Sequence, residues 1–282
     1  MIRSIEETYP GRLSSDGAGV KLNRIFSRGD IKDVDPFLLL DFFDSKNPDD
    51  YTKGFPWHPH RGIETITYLI EGALEHGDNL GNSGVIEPYG CQWMTAGSGI
   101  IHQEMPQTSE RMLGTQLWLN LPKEHKMTKP AYREITKDDI GIYADGTEEV
   151  RVICGNYKGI EGAVKGTFVD PIYFDISVKK DQPFKYEISE NKTVFLLLIQ
   201  GEISIQGERA AFEDIKGILL TKGDTINIKG VTDARFLFMA AEPLNEPIAW
   251  GGPIVMNTEK ELNEAFKALE NNTFILKRPP LK

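Results

Sequence analysis

The chain has 282 residues, 40% hydrophobic and 26% charged, which is a soluble globular composition and more length than one core ordinarily serves. Its formal net charge of −10, without any long Lys/Arg run, repels a phosphate backbone, so direct nucleic-acid binding is not expected, although an acidic protein can still bind a DNA-binding protein. No apolar run approaches membrane-spanning length, the opening MIRSIEETYPG has no signal-peptide character, and Cys91 and Cys154 imply no disulfide framework; a cytoplasmic protein without membrane partners is the expectation.

Along the chain the pattern is one of short β-branched or aromatic strands punctuated by Gly, Pro, Asn and Asp. Thr65–Ile70 reads as a strand, followed by the turn signal Asp78-Asn79-Leu80-Gly81-Asn82-Ser83-Gly84 and a further strand at Gly114–Asn120. A Lys-, Pro- and Asp-rich stretch from about Pro122 to Asp145 reads as a connection. Strands then follow at Ile172–Val178, Thr193–Gln200 and Arg235–Ala240, with a turn at Lys222-Gly223-Asp224. Turns this closely spaced favour antiparallel hairpins over βαβ crossovers, hence an all-β sandwich or jelly roll. Near the end, Thr258-Glu259-Lys260-Glu261 can form a capping box, and Leu262, Ala265, Phe266 and Leu269 recur at helical spacing, so one short helix packed on a sheet is expected.

An internal repeat organises these elements. Leu69-Ile70-Glu71-Gly72-Ala73-Leu74-Glu75-His76 aligns with Leu198-Ile199-Gln200-Gly201-Glu202-Ile203-Ser204-Ile205, each a strand, a polar-Gly turn and a second strand. Two copies of one β fold follow, divided here as residues 1–135 and 136–282.

The five histidines, His58, His60, His76, His102 and His125, all lie in the first copy. In an extended chain residues i and i+2 share a face, so the rings of His58 and His60 can reach one point, and His102 and Glu104 repeat that geometry with an imidazole and a carboxylate. Two such pairs on facing strands make a three-His, one-carboxylate metal site. Pro59 stiffens the first pair and removes no ladder bond if its strand is an edge. His125, among Lys123, Glu124 and Lys126, reads as a solvated loop residue. For His76 an ordinary structural role outweighs a place near the pocket.

At these residues the sequence resembles the pirin family of the cupin superfamily. The resemblance is carried by His58-Pro59-His60-Arg61-Gly62-Ile63-Glu64-Thr65, by Gln92 through Pro106, by Glu242 through Pro247 and by Gly252 through Thr258, and so covers nearly the whole chain. It implies two tandem cupin domains in a monomer, the second without metal ligands. It also implies one divalent transition metal per chain, usually iron, held by His58, His60, His102 and Glu104. The donor set itself suits Fe(II), Mn(II), Co(II), Ni(II), Cu(II) or Zn(II). Many cupins take a ligand Glu shortly after His-x-His; Glu64 occupies that position, but pirins do not use it, and on the same strand face as His60 it is expected to support the ligands. After Pro88-Tyr89-Gly90, where many cupins place their last His, this chain has Trp93.

The resemblance further suggests quercetin 2,3-dioxygenase chemistry, with Fe(II), dioxygen and a flavonol whose central ring opens with release of carbon monoxide. Glu104 is the candidate catalytic base; its alternative role is that of a charge-balancing ligand. Phe42, Phe43, Trp93, Met94 and Trp118 are candidates to line an aromatic slot, although most buried aromatics are simply core. A second reading is a redox-sensitive iron protein that acts through a regulatory protein partner, without physiological turnover.

Overall fold

The structure, a computed structural model, describes residues 1–276. Twelve strands precede residue 136. They are β1 (Ile5–Tyr9), β2 (Arg12–Asp16), β3 (Val20–Phe26), β4 (Phe37–Ser45), β5 (Phe55–His60), β6 (Ile63–Glu71), β7 (Ala73–Asp78), β8 (Ser83–Ile86), β9 (Cys91–Thr95), β10 (Ile100–Gln107), β11 (Met112–Asn120) and β12 (Ala131–Ile135). More strands follow, and among the described residues there is a single α-helix, α1 (Glu259–Glu270). The strands expected at Thr65–Ile70, Gly114–Asn120, Ile172–Val178, Thr193–Gln200 and Arg235–Ala240 all form. The all-β, tandem two-domain cupin expectation with a short C-terminal helix is met.

Two compact units result. One gathers Leu13–Leu22, Leu39–Thr136 and the residues from Asn245 onward; the other gathers Met1–Arg12, Asn23–Leu38 and Lys137–Leu244. Each unit is thus discontinuous, and each chain end belongs with the opposite half of the sequence. The stretch Pro122–Asp145 is more than a connection. β12 pairs with β9, and Gly141–Ala144 pairs with Glu148–Cys154.

In the histidine-bearing unit a seven-stranded sheet runs β12-β9-β6-β11-β4-β3-β2, and a four-stranded sheet runs β5-β10-β7-β8. β6 lies inside the larger sheet, and its Ile-Glu-Thr-Ile-Thr-Tyr-Leu-Ile run is buried on both faces, which is why it reads as near-continuous rather than alternating. β10 alternates, with His102, Glu104 and Pro106 buried between less buried neighbours, so one face of it is committed to the interior. Side chains of the two sheets meet there: Thr67 on β6 and Gln116 on β11 both reach Glu104 on β10.

The other unit repeats the plan. Its seven-stranded sheet is built on Thr193–Gln200 and Ala234–Ala241, and its interior is an apolar core that includes Tyr157, Phe174, Phe184, Phe236 and Phe238. The aligned repeat appears as the same strand–corner–strand in both units. Gly72 and Gly201 stand at the corners with φ of 94° and 77°, a conformation that disfavours any residue with a Cβ.

The C-terminal segment forms a hairpin (Ala249–Gly251 with Ile254–Met256) and then α1. The capping box forms as expected: the Thr258 hydroxyl accepts from the Glu261 N–H, and Glu261 accepts from the Thr258 N–H. Leu262 and Ala265 bury into a cluster with Ala249, Ile254, Met256 and Phe274. Phe266 sits at the border of that face, 36% exposed. No helix among the described residues is long and apolar enough to cross a membrane.

This segment lies against the β5–β6 corner. Gly62, at φ 78°, stands where an added Cβ would come within 2.0 Å of the Val255 carbonyl oxygen. Gly62→Ala is therefore expected to destabilise the protein by about 2 kcal/mol or more, through both left-handed strain and the backbone shift it forces. Chemical denaturation of the full chain measures this, and an unchanged midpoint would contradict the close approach.

Candidate metal centre

The register of the four-stranded sheet brings the first three candidate ligands together. β10 runs antiparallel to β5 with His102 opposite His58, Ile101 opposite Pro59 and Ile100 opposite His60. The two i,i+2 pairs therefore sit on adjacent strands of one sheet, not on facing strands. β5 is an edge strand, where Pro59 is tolerated. Ring centroids of His58 and His102 lie 4.3 Å apart, and those of His60 and His102 5.1 Å apart. One ring nitrogen from each of the three histidines falls within 4.8 Å of the others.

Hydrogen bonds set the tautomers. His58 Nδ1 lies 2.8 Å from the Pro56 carbonyl oxygen, and His60 Nδ1 lies 3.1 Å from that of Pro253. A carbonyl only accepts, so each Nδ1 carries the hydrogen and each Nε2 is left with a lone pair. Those two Nε2 atoms are 3.1 Å apart. With both Nδ1 atoms protonated, neither Nε2 can donate to the other, and two lone pairs face each other across hydrogen-bond distance. Two imidazoles bound to one ion at ordinary ligand distances, roughly at right angles, would place their nitrogens about 3 Å apart. His102 is fully buried with neither ring nitrogen hydrogen-bonded, a costly arrangement that a cation relieves. Burial, with His58 alongside, pushes His60 down to about 3. Burial and the neighbouring imidazoles hold His102 well below 6.5. Neutral rings with free lone pairs are the form that binds metal, and the three histidines fit one ion.

Glu104 stands differently. It is buried, two residues along β10 from His102, but its carboxylate is not among the clustered donor atoms. Thr67 Oγ1 donates to Oε1 at 2.8 Å, and Gln116 Nε2 donates to Oε2 at 2.9 Å. Each oxygen keeps a further lone pair.

His76 belongs to the wall of this interior. It is buried, in register opposite Glu104, with its ring stacked on Tyr132 at 4.5 Å and centred 5.6 Å from His102. Gln92 Nε2 donates to its Nδ1 at 2.8 Å. The sequence held a signal for this, because the repeat aligns His76 with Ile205, a buried core position of the other unit. His125 instead sits at the surface beside Glu124. Trp118 meets the His60 ring edge-on at 5.0 Å, with Trp250 tilted 5.8 Å beyond it. Phe43 lies in an apolar cluster with Leu69, Leu74 and Met112. Sequence reasoning missed Trp250 and Pro253, because nothing local links the C-terminal hairpin to a histidine pair almost two hundred residues earlier.

Glu64 does not support the ligands. The unbroken β6–β9 register puts Thr65 and Thr67 with Met94 and Gln92 on one face, and Glu64 and Ile66 with Thr95 and Trp93 on the other. Glu64 accepts from Thr95 Oγ1 at 2.6 Å, and burial raises its pKa against the opposing influence of Thr95 and Trp93. Trp93 shares that outer face, away from the three histidines.

Comparison with known proteins places these features in a family. Residues 19–119 match the family Pirin, and residues 173–275 match the Pirin C-terminal cupin domain. A pirin-like protein of Caulobacter vibrioides is 41% identical over 97% of this chain and 99% of its own length. Human pirin is 37% identical over 92% of this chain and 90% of its own. A crystal structure of quercetin 2,3-dioxygenase from Acinetobacter baumannii superimposes with a TM-score of 0.89 at 31% identity, covering 97% of this chain and 99% of that one.

Two outcomes follow from the site. Replacing His58, His60 or His102 with Ala should abolish stoichiometric metal retention, while His125→Ala should leave it intact; metal analysis after dialysis reads this, and a His102→Ala chain that loads normally would place the site elsewhere. Glu64 gives a pH test. Its folded pKa lies above the unfolded value near 4.5, so the folded state holds the extra proton and stability is lost as pH rises through that window. Glu64→Gln should therefore be more stable than wild type at pH 7, with the gain vanishing below about pH 4. A variant no more stable than wild type at pH 7 would show the buried carboxyl to be compensated.

Proposed function

The chain belongs to the pirin family of cupins, and from that premise we propose that it is a mononuclear metal-dependent dioxygenase of the quercetin 2,3-dioxygenase type, with Fe(II) as the working metal. The observation that supports the metal is the pair of Nε2 lone pairs of His58 and His60 facing each other beside the unpartnered ring of His102. Support for the substrate class comes from the Acinetobacter baumannii quercetin 2,3-dioxygenase, similar over nearly the full length of both chains.

On this reading His58, His60 and His102 hold the metal and Glu104 completes the set. When bound, the metal would supply Lewis acidity toward the substrate oxygen and dioxygen. The residues around it supply the rest. Thr67 and Gln116 fix both oxygens of Glu104, so the carboxylate has one orientation from which to take the proton of a flavonol 3-hydroxyl. Trp118, against His60, and Trp250, tilted beyond it, offer aromatic surface suited to an aromatic ring system. Burial of His60, His102 and Glu104 keeps bulk water from the reacting atoms.

Anaerobic loading with Fe(II), followed by quercetin and oxygen, tests the proposal through oxygen uptake and carbon monoxide release. Stoichiometric iron without either signal would reject catalysis on flavonols and turn attention to a metal-dependent regulatory role. Within an active protein, Glu104→Gln separates base from ligand. It keeps an oxygen donor of similar shape and removes most of the basicity. Turnover per bound iron should fall about 10²–10⁴-fold, and less above the flavonol's own pKa, where the substrate arrives ionised. Turnover per iron equal to wild type at every pH would reject the base and leave Glu104 a charge-balancing ligand.

A further inference from the structure

Lys126 is 3% exposed, yet among the described residues no carboxylate lies within hydrogen-bond distance of its ammonium. Instead Nζ donates to three oxygens from three separate segments: Asn120 Oδ1 at 2.5 Å, the Gly62 carbonyl at 2.8 Å and the Val255 carbonyl at 3.0 Å. Three acceptors match the three N–H bonds of an ammonium, and no other side chain offers three donors and no acceptor from one atom. Burial, opposed by the more distant charges of Glu246 and Glu261, presses this group down to about 7, and the three oxygens are what the protonated form needs around it.

Each of these oxygens stands two residues from a group that touches His60. Gly62 follows His60 itself. Asn120 follows Trp118, whose ring meets the His60 ring at 5.0 Å. Val255 follows Pro253, whose carbonyl accepts from His60 Nδ1 at 3.1 Å. The Val255 N–H also donates to the Arg61 carbonyl at 3.1 Å. Arg61 in turn donates to the Phe274 carbonyl and lies over the Phe274 ring. The C-terminal hairpin is therefore tied to the β5–β6 corner at Val255, two residues beyond the one carbonyl that fixes the tautomer of His60.

We propose that Lys126 is a positioning residue of the metal centre. Its ammonium draws Gly62, Asn120 and Val255 to one point, holds the Pro253 carbonyl against His60 Nδ1, and so presents His60 Nε2 to the ion. This rests on the reading that His58, His60 and His102 bind a metal. Partners that orient a ligating imidazole typically change metal affinity 10–100-fold when removed, and Lys126 acts one step behind such a partner.

The experiment uses the full-length chain, stripped of metal and titrated with Co(II), whose visible absorption reports coordination geometry as well as occupancy. Lys126→Met should bind Co(II) about 10–100-fold more weakly, with an altered absorption spectrum and a shifted or broadened His60 Nδ1–H resonance. Val194→Ala, which removes packing from the apolar core of the other unit, should lose stability while keeping the wild-type Co(II) affinity and spectrum. If Lys126→Met does not fold, Asn120→Ala decides, since it removes one of the three oxygens and leaves the ammonium. It should weaken Co(II) binding in the same direction by a smaller factor. Wild-type affinity and spectrum in Lys126→Met, or in Asn120→Ala where that variant decides, would overturn the role of Lys126 while leaving the metal site standing. A wild-type chain that binds no Co(II), or a His60→Ala chain that binds it normally, would instead overturn the metal reading beneath it.

Discussion

Two carbonyl oxygens, those of Pro56 and Pro253, dictate the chemistry of this interior. Each accepts a hydrogen bond from an imidazole Nδ1, and a carbonyl has no hydrogen to give. Both rings are thereby committed to the tautomer with a bare Nε2, and the β5 geometry then sets those nitrogens 3.1 Å apart. Without a cation that juxtaposition is unfavourable twice over, through facing lone pairs and through burial of unmet acceptors. The candidate metal site is thus organised in the absence of an ion, at the expense of the fold that carries it.

The other unit shows what the same architecture does when freed of that constraint. Its interior is filled by aliphatic and aromatic side chains, with Phe174 stacked on Phe238 and Phe184 edge-on to Phe236. Where the histidine-bearing unit has His76, its repeat partner has Ile205 in the core. One β fold has therefore been used in two ways, around a packed apolar core and around a set of buried polar side chains. Buried polar groups are kept in the second only because most of them hold one another. Glu104 is met by Thr67 and Gln116, and His76 by Gln92.

Much of this was legible from residue order. The strand pattern, the Gly corners of the repeat, the capping box at Thr258 and the shared face of His58 and His60 all follow from local rules of period and turn chemistry. Their spacings survive any reasonable folding of the chain. The orientation of Glu64 was misread because the i,i+4 relation to His60 assumes one continuous strand. The chain turns at Gly62 between β5 and β6, and beyond the turn the alternation is counted afresh.

By itself, the sequence determined that this is a two-copy β protein, that only one copy carries histidines, and that His58 and His60 share one face of a strand. These are properties of side-chain period and composition, which act over a few residues. Only the tertiary structure decided that His102 meets His58 and His60, that Glu104 is tied by Thr67 and Gln116, that His76 is buried beside His102, and that the hairpin at Ala249–Met256 completes the surroundings of His60. Those contacts join residues up to almost two hundred positions apart. What sets them is the lowest free energy of closing two sheets over a buried polar group, and no local preference encodes it.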